Sequence, residues 1–144
     1  MLSSTLLALE RAHLEMLAAW CAASVLAGGA LLVTLALTRG RAVLLRHFAL
    51  QMLGWGVIEL ACVALRWRTL AMRDYGGAVR LTTFVTAGVV AGAMVLGAGL
   101  TLALAGWRLT GRLSLVGAGA AIALQGAVLL VLDLPVLHRL LAAG

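Results

Sequence analysis

Leu81-TTFVTAGVVAGAMVLGAGLTLALAG-Trp107 is 27 consecutive residues without a charge, bounded by Arg80 and Arg108. A helix needs roughly 20 apolar residues to cross the hydrocarbon core of a bilayer. A soluble domain of this size has no interior large enough to hide such a run. The rest of the chain repeats the pattern. Met16 to Thr38 is a run of 23 uncharged residues, His47 to Leu65 is 19 interrupted only by Glu59, and Leu113 to Leu132 is 20. Lipid offers the backbone no hydrogen bonds, and barrel strands would alternate in polarity, so the four runs are expected to be helices. The predicted fold is all-α, a single transmembrane domain over residues 1–144 with spans at about 16–38, 47–65, 81–107 and 113–132.

Composition agrees with that reading. Residues are 64% hydrophobic and 11% charged, with a mean hydropathy of +1.12; an ordinary soluble domain carries about 25% charged residues. The net charge is +6 and every basic residue is arginine. The arginines lie in short gaps between apolar runs, which points to lipid headgroups and not to nucleic acid.

The gaps Arg39–Arg46 and Arg108–Arg112 leave room only for tight turns. Asp74-Tyr75-Gly76-Gly77 reads as a turn in the longer gap between Arg66 and Arg80. An up-down-up-down bundle is expected, with consecutive helices as neighbours and both termini on one side. Residues 1–16 read as a helical extension of the first span, with Ser3 and Ser4 as caps. Pro135, the single proline, is expected to break the fourth helix or to start a short surface helix. Asp133 just before it is read as a cap for that tail. Arginines divide six to five between the two ends, so the positive-inside rule assigns no orientation. Trp20, Trp67 and Trp107 fall at span boundaries as an aromatic belt would. The N-terminus has no basic region and carries Glu10 and Glu15, against a cleaved signal peptide.

Few polar residues sit inside the spans. Glu59 is the only acid within one, and exposing it to lipid costs about 2.5–3.5 kcal/mol on insertion scales. It must face the bundle, a cavity or a partner. His47, Gln51, Trp55, Glu59, Cys62 and Arg66 form a stripe along one face of the second helix. By helical rise, Ser24, Glu59, Thr86 and Gln125 share one depth, so Glu59 is expected to reach Gln125. The stripe reads either as interhelical packing glue or as a proton or solute path. Cys21 and Cys62 share a depth and are expected at the seam of the first two helices, as apolar buried thiols before a disulfide. The spacing has no metal-binding pattern. Haem ligation by His13 with His138, or chlorin ligation by His47, stays open, though a histidine near a span end is more often interfacial. Gly88, Gly92, Gly97 and Gly99 thin the third helix, which is expected to be the surface that docks on another protein.

Three stretches resemble an uncharacterised family of four-helix bacterial membrane proteins, a domain of unknown function. They are Met16-Leu-Ala-Ala-Trp20, Gln51-Met-Leu-Gly-Trp55 with a polar residue at 59, and Gly117-Ala-Gly-Ala-Ala-Ile-Ala-Leu-Gln-Gly126 followed by Val128-Leu-Leu-Val-Leu-Asp133. Where the family suggests Asn near 24 and 59, this chain has Ser24 and Glu59. The resemblance implies the four-helix architecture, brings no activity with it, and singles out Gln125 and Asp133.

The functional expectation is a non-catalytic accessory subunit of a larger membrane complex, such as a photosynthetic or respiratory assembly. Its partners would be membrane lipids and other integral membrane subunits, and its place the bacterial inner membrane. The alternatives are a small proton-coupled or solute transporter using Glu59, Gln51, His47 and Gln125, and, with least in its favour, a small membrane enzyme or cofactor binder.

Overall fold

The computed structural model describes residues 2–71 and 74–142. It consists of four helices, α1 (Leu2–Leu37), α2 (Val43–Arg68), α3 (Tyr75–Ala105) and α4 (Leu113–Ala142), with one π-helical turn, Gly106–Thr110, closing α3. All four are long and apolar enough to cross a membrane. Each runs past its uncharged run at one end or both, α1 and α3 at the start, α4 at the end and α2 at both, because arginines and acids at a boundary do not stop a helix whose stem still packs. The early turns of α1 show why: Leu6, Glu10, His13 and Leu14 are all buried.

Two local signals resolve against expectation. Asp74 does not open a free turn; its carboxylate accepts the Gly77 backbone N–H at 2.7 Å and caps α3. Pro135 neither breaks α4 nor starts a second helix. Beyond it, Val136 and Leu140 pack with Leu6, Leu81 and Val85. That burial outweighs the missing N–H. The Arg108–Arg112 gap is the tight turn expected: helical structure continues to Thr110, and only Gly111, at φ 61°, and Arg112 separate it from α4.

Helix neighbours do not follow chain order. α4 is central, packed along α3 on one side and α2 on the other; α1 packs on α2 and only briefly on α4. α2 and α3, consecutive in sequence and expected as neighbours, are not a closely packed pair. Small residues decide this. A Cβ on Gly126 would strike the α3 backbone at Leu96, one on Gly99 the α4 backbone at Ala123, and one on Gly117 the α2 carbonyl of Leu44. Helices in lipid gain little from apolarity alone, so the faces that allow backbones to approach select the neighbours.

The same contacts correct the expectation for α3. Gly88 faces the Asp133 carboxylate, Gly92 faces Leu129 and Leu130, and Gly99 faces Ala123. These three glycines pack inside the chain. Gly97 alone of the four has open space where its side chain would be.

Candidate functional site

The inward face of α1 carries Glu10, His13, Leu14, Cys21, Ser24 and Gly28, which recur at spacings of three, four and seven with His13 and Leu14 side by side, as one helix stripe allows. All six are buried. Four of them are polar or ionisable, and each finds its partner on another helix. Together they make a polar seam running from the α3 N-terminus toward the middle of the bundle.

At the outer end, Arg66 Nη2 donates to Glu10 Oε1 at 2.8 Å, and its guanidinium lies 4.1 Å from the Phe84 ring centroid. One layer inward, His13 Nε2 lies 3.0 Å from Asp133 Oδ1, both side chains being more than nine-tenths buried. Gly88 makes room for that carboxylate; a Cβ there would collide with Asp133 Oδ2. Next, the Cys21 thiol donates to Glu59 Oε2 at 3.9 Å. The deepest layer centres on Gln125, which is fully buried. Its Oε1 accepts the Trp20 indole N–H at 2.6 Å, and its Nε2 donates to Ser24 Oγ at 3.3 Å and Met52 Sδ at 3.7 Å. Both halves of the amide are used, and α1, α2 and α4 are tied at one level. Three buried atoms in the seam have no hydrogen-bond partner: His13 Nδ1, Arg66 Nε and Glu59 Oε1.

Past this layer the bonding changes character. A Cβ on Gly28 would come within 2.8 Å of the Ala49 carbonyl and the Leu53 amide nitrogen. With Gly117 against Leu44 and Gly119 against Ala103, the far half of the bundle is closed by backbone contact.

The polar layer expected from depth is therefore partly assembled. Ser24 and Gln125, expected at one depth, are hydrogen-bonded to each other. Glu59 turns to Cys21 instead of Gln125, which is taken up by Trp20. Thr86 is exposed and returns its hydroxyl to the Thr82 carbonyl at 2.8 Å, so α3 adds nothing to this layer. His47, Gln51 and Trp55 are only half-buried, because the core face of α2 is Ala49, Met52, Gly56 and Val63. The polar stripe runs along the edge of that face, and only Glu59 and Arg66 turn into the seam. Cys62 is exposed while Cys21 is buried, and both thiols are free.

Three residues act differently from their sequence reading. Asp133 is not a tail cap but a bundle ligand for His13. His13 is not interfacial but buried, and its Nε2 is committed to Asp133; His138 is exposed and His47 half-buried. Trp20 is half-buried and bonded inward, unlike Trp67 and Trp107, which are exposed. The ion pair Glu10–Arg66 was missed altogether. The available signal was the inward stripe of α1 continued back from Ser24 and Cys21 to His13 and Glu10. Among the described residues, no three His, Cys, Asp or Glu side chains come together as a metal site.

No curated protein and no solved structure matches the chain. A family of unknown function (DUF6992) matches residues 16–134, and the chain belongs to that family.

Proposed function

We propose that this protein is an integral membrane subunit without catalytic activity, whose role is to pack against the spans of other membrane proteins. In the membrane it would stand as an up-down-up-down bundle with both termini on one side. Contacts pairing early α1 with late α2, as in Glu10–Arg66, and late α1 with early α2, as in Gly28–Ala49, support that topology. A bacterial inner membrane and a photosynthetic or respiratory assembly remain the settings of this proposal.

One observation carries the reading. Each buried polar side chain of the seam has a partner on another helix, though three of their atoms are left unbonded, and the far half of the bundle is shut by backbone contact. A transport path needs polar groups that continue through the bilayer; here they stop at Gln125. Meanwhile Gly97 opens outward between exposed Ala93 and Thr101, one turn to either side. Small residues on an outer face let a neighbouring helix approach closely.

The second reading, a proton-coupled carrier, draws on Glu59, whose Oε1 is buried without a partner. One pair of experiments separates the two. Protein isolated in mild detergent should bring partner chains with it, and Gly97→Leu should reduce their yield while leaving its own thermal stability unchanged. Unchanged partner recovery for Gly97→Leu would remove α3 as the docking face. Proton or solute flux in liposomes that Glu59→Gln abolishes would replace the subunit reading with the carrier.

A further inference from the structure

Charge is divided unequally between the two ends of the bundle. Glu10, Glu15, Asp74 and Asp133 lie at the end where Leu6, Leu81 and Leu140 cluster, with Glu59 just inside it. Arg39, Arg41, Arg46, Arg108 and Arg112 lie at the other end, where Leu44 meets Gly117 and Leu115 meets Gly106. No acid stands with them. At the acidic end Arg11 pairs with Glu15 and Arg66 with Glu10. The five arginines of the opposite end are all exposed, and none pairs with a carboxylate among the described residues.

Two surface grooves open at this arginine end. One, of about 430 Å³, is lined by Leu32, Leu35, Ala36, Arg39, Gly40 and Arg46, between the end of α1 and the start of α2. The other, of about 480 Å³, is lined by Thr101, Leu104, Ala105, Arg108 and Leu109. Both have the same design. Apolar side chains line the part along the helix, and a guanidinium stands at the part nearest the turn. In the first groove the turn holds Arg39 at φ 49°, the only non-glycine residue with positive φ among those described. Gly40 N–H donates to the Leu35 carbonyl at 2.9 Å and Arg39 N–H to that of Ala36 at 3.3 Å, so the helix end is closed by its own backbone and the arginine side chain is left outward.

We propose that this first groove binds an anionic phospholipid, with the phosphate between Arg39 and Arg46 and an acyl chain along Leu32, Leu35 and Ala36. The proposal rests on the membrane reading above. Guanidinium matches phosphate oxygens with two parallel N–H donors, and arginine gives up its hydration more readily than an ammonium. An unpaired guanidinium pair at the edge of an apolar groove suits a ligand that is anionic at one end and hydrocarbon at the other. A zwitterionic lipid brings its own ammonium, which the surrounding arginines repel.

The test uses the whole chain in detergent, titrated with phosphatidylglycerol or phosphatidylcholine and followed by native mass spectrometry. Phosphatidylglycerol should be retained in preference to phosphatidylcholine. The double variant Arg39→Gln/Arg46→Gln should weaken that retention by roughly 30-fold, from the loss of two arginines near a lipid surface. Arg80→Gln at the opposite end should leave it unchanged. Equal retention of the two lipids, or a double variant that binds as wild type, overturns the proposal. Displacement of phosphatidylglycerol by millimolar inorganic phosphate also overturns it, because the site is then one for free phosphate. Alkaline carbonate extraction of the expressing cells separates the two levels. Release of the protein refutes the membrane reading, and the lipid site with it. Retention without lipid selectivity refutes the lipid site alone.

Discussion

The two halves of this bundle are held together by different chemistry. Between Leu6 and Ser24 of α1, neighbouring helices are joined by side chains in pairs: Glu10 with Arg66, His13 with Asp133, Cys21 with Glu59, and Trp20 and Ser24 with Gln125. Backbone contact begins at Gly56, beside the Cys21 carbonyl, and takes over from Gly28 onward, at Gly28 with Ala49, Gly117 with Leu44, and Gly119 with Ala103. The difference matters for specificity. A glycine seam tolerates a shift along the helix wherever another small residue follows, and this chain has 17 glycines. A buried histidine facing one carboxylate tolerates no such shift, since a slip of one turn leaves both groups unpaired in an apolar medium. The polar half sets register, and the glycine half sets distance.

Substitutions in each half should separate these roles. The largest effect is expected in the glycine half. Gly99→Leu places a side chain directly against the α4 backbone at Ala123, with no flexible group able to yield. Destabilisation by about 3 kcal/mol or more is expected, at or above the usual range for overpacking, read as loss of the thermal unfolding transition in detergent. Wild-type melting of Gly99→Leu would mean that the α3–α4 seam is looser than described. Gly97→Leu, two residues away and facing open space, is the internal control.

A smaller loss is expected in the polar half. Asp133→Ala strands His13 Nε2 inside the bundle, at a cost of about 1–3 kcal/mol for a buried group left without its partner. The companion variant His13→Leu/Asp133→Leu removes both partners and should recover part of that stability, because neither polar group is then left unpaired. What it should lose is uniqueness, seen as broadened amide signals or several helix crosslinking patterns. Full recovery with a single crosslinking pattern would show that the pair does not set register.

The smallest effect leaves the fold alone. With the protein folded in detergent, a small maleimide should label Cys62 and leave Cys21 unreacted until denaturation, since one thiol is exposed and the other fully buried. Equal labelling of both would place Cys21 outside the α1–α2 seam.

The sequence already contained the number of helices, their apolar character and the short connections. These follow from runs of uncharged residues measured against the thickness of a bilayer, a length comparison that needs no knowledge of neighbours. It also placed Ser24 and Gln125 at one depth, because depth along a helix is arithmetic in residue number; that the two bond to each other came from the packing. Rotation about each helix axis, and the choice of neighbours, needed the tertiary structure. Thr86 has the right depth and the wrong azimuth, so it faces outward and bonds to its own helix. Gln125 was within helical reach of Glu59 by depth, but Trp20 on the adjoining face of α1 took its carbonyl oxygen. Pro135 sits inside a continuous helix because Val136 and Leu140 are buried beyond it. Gly88, Gly92 and Gly99 turned inward because α4, with Gly119 and Gly126, offered α3 a closer approach than α2 did. Sequence spacing along one helix records which residues share a face. Which face is inside depends on contacts between residues distant in the chain, and those form only when the four helices pack together.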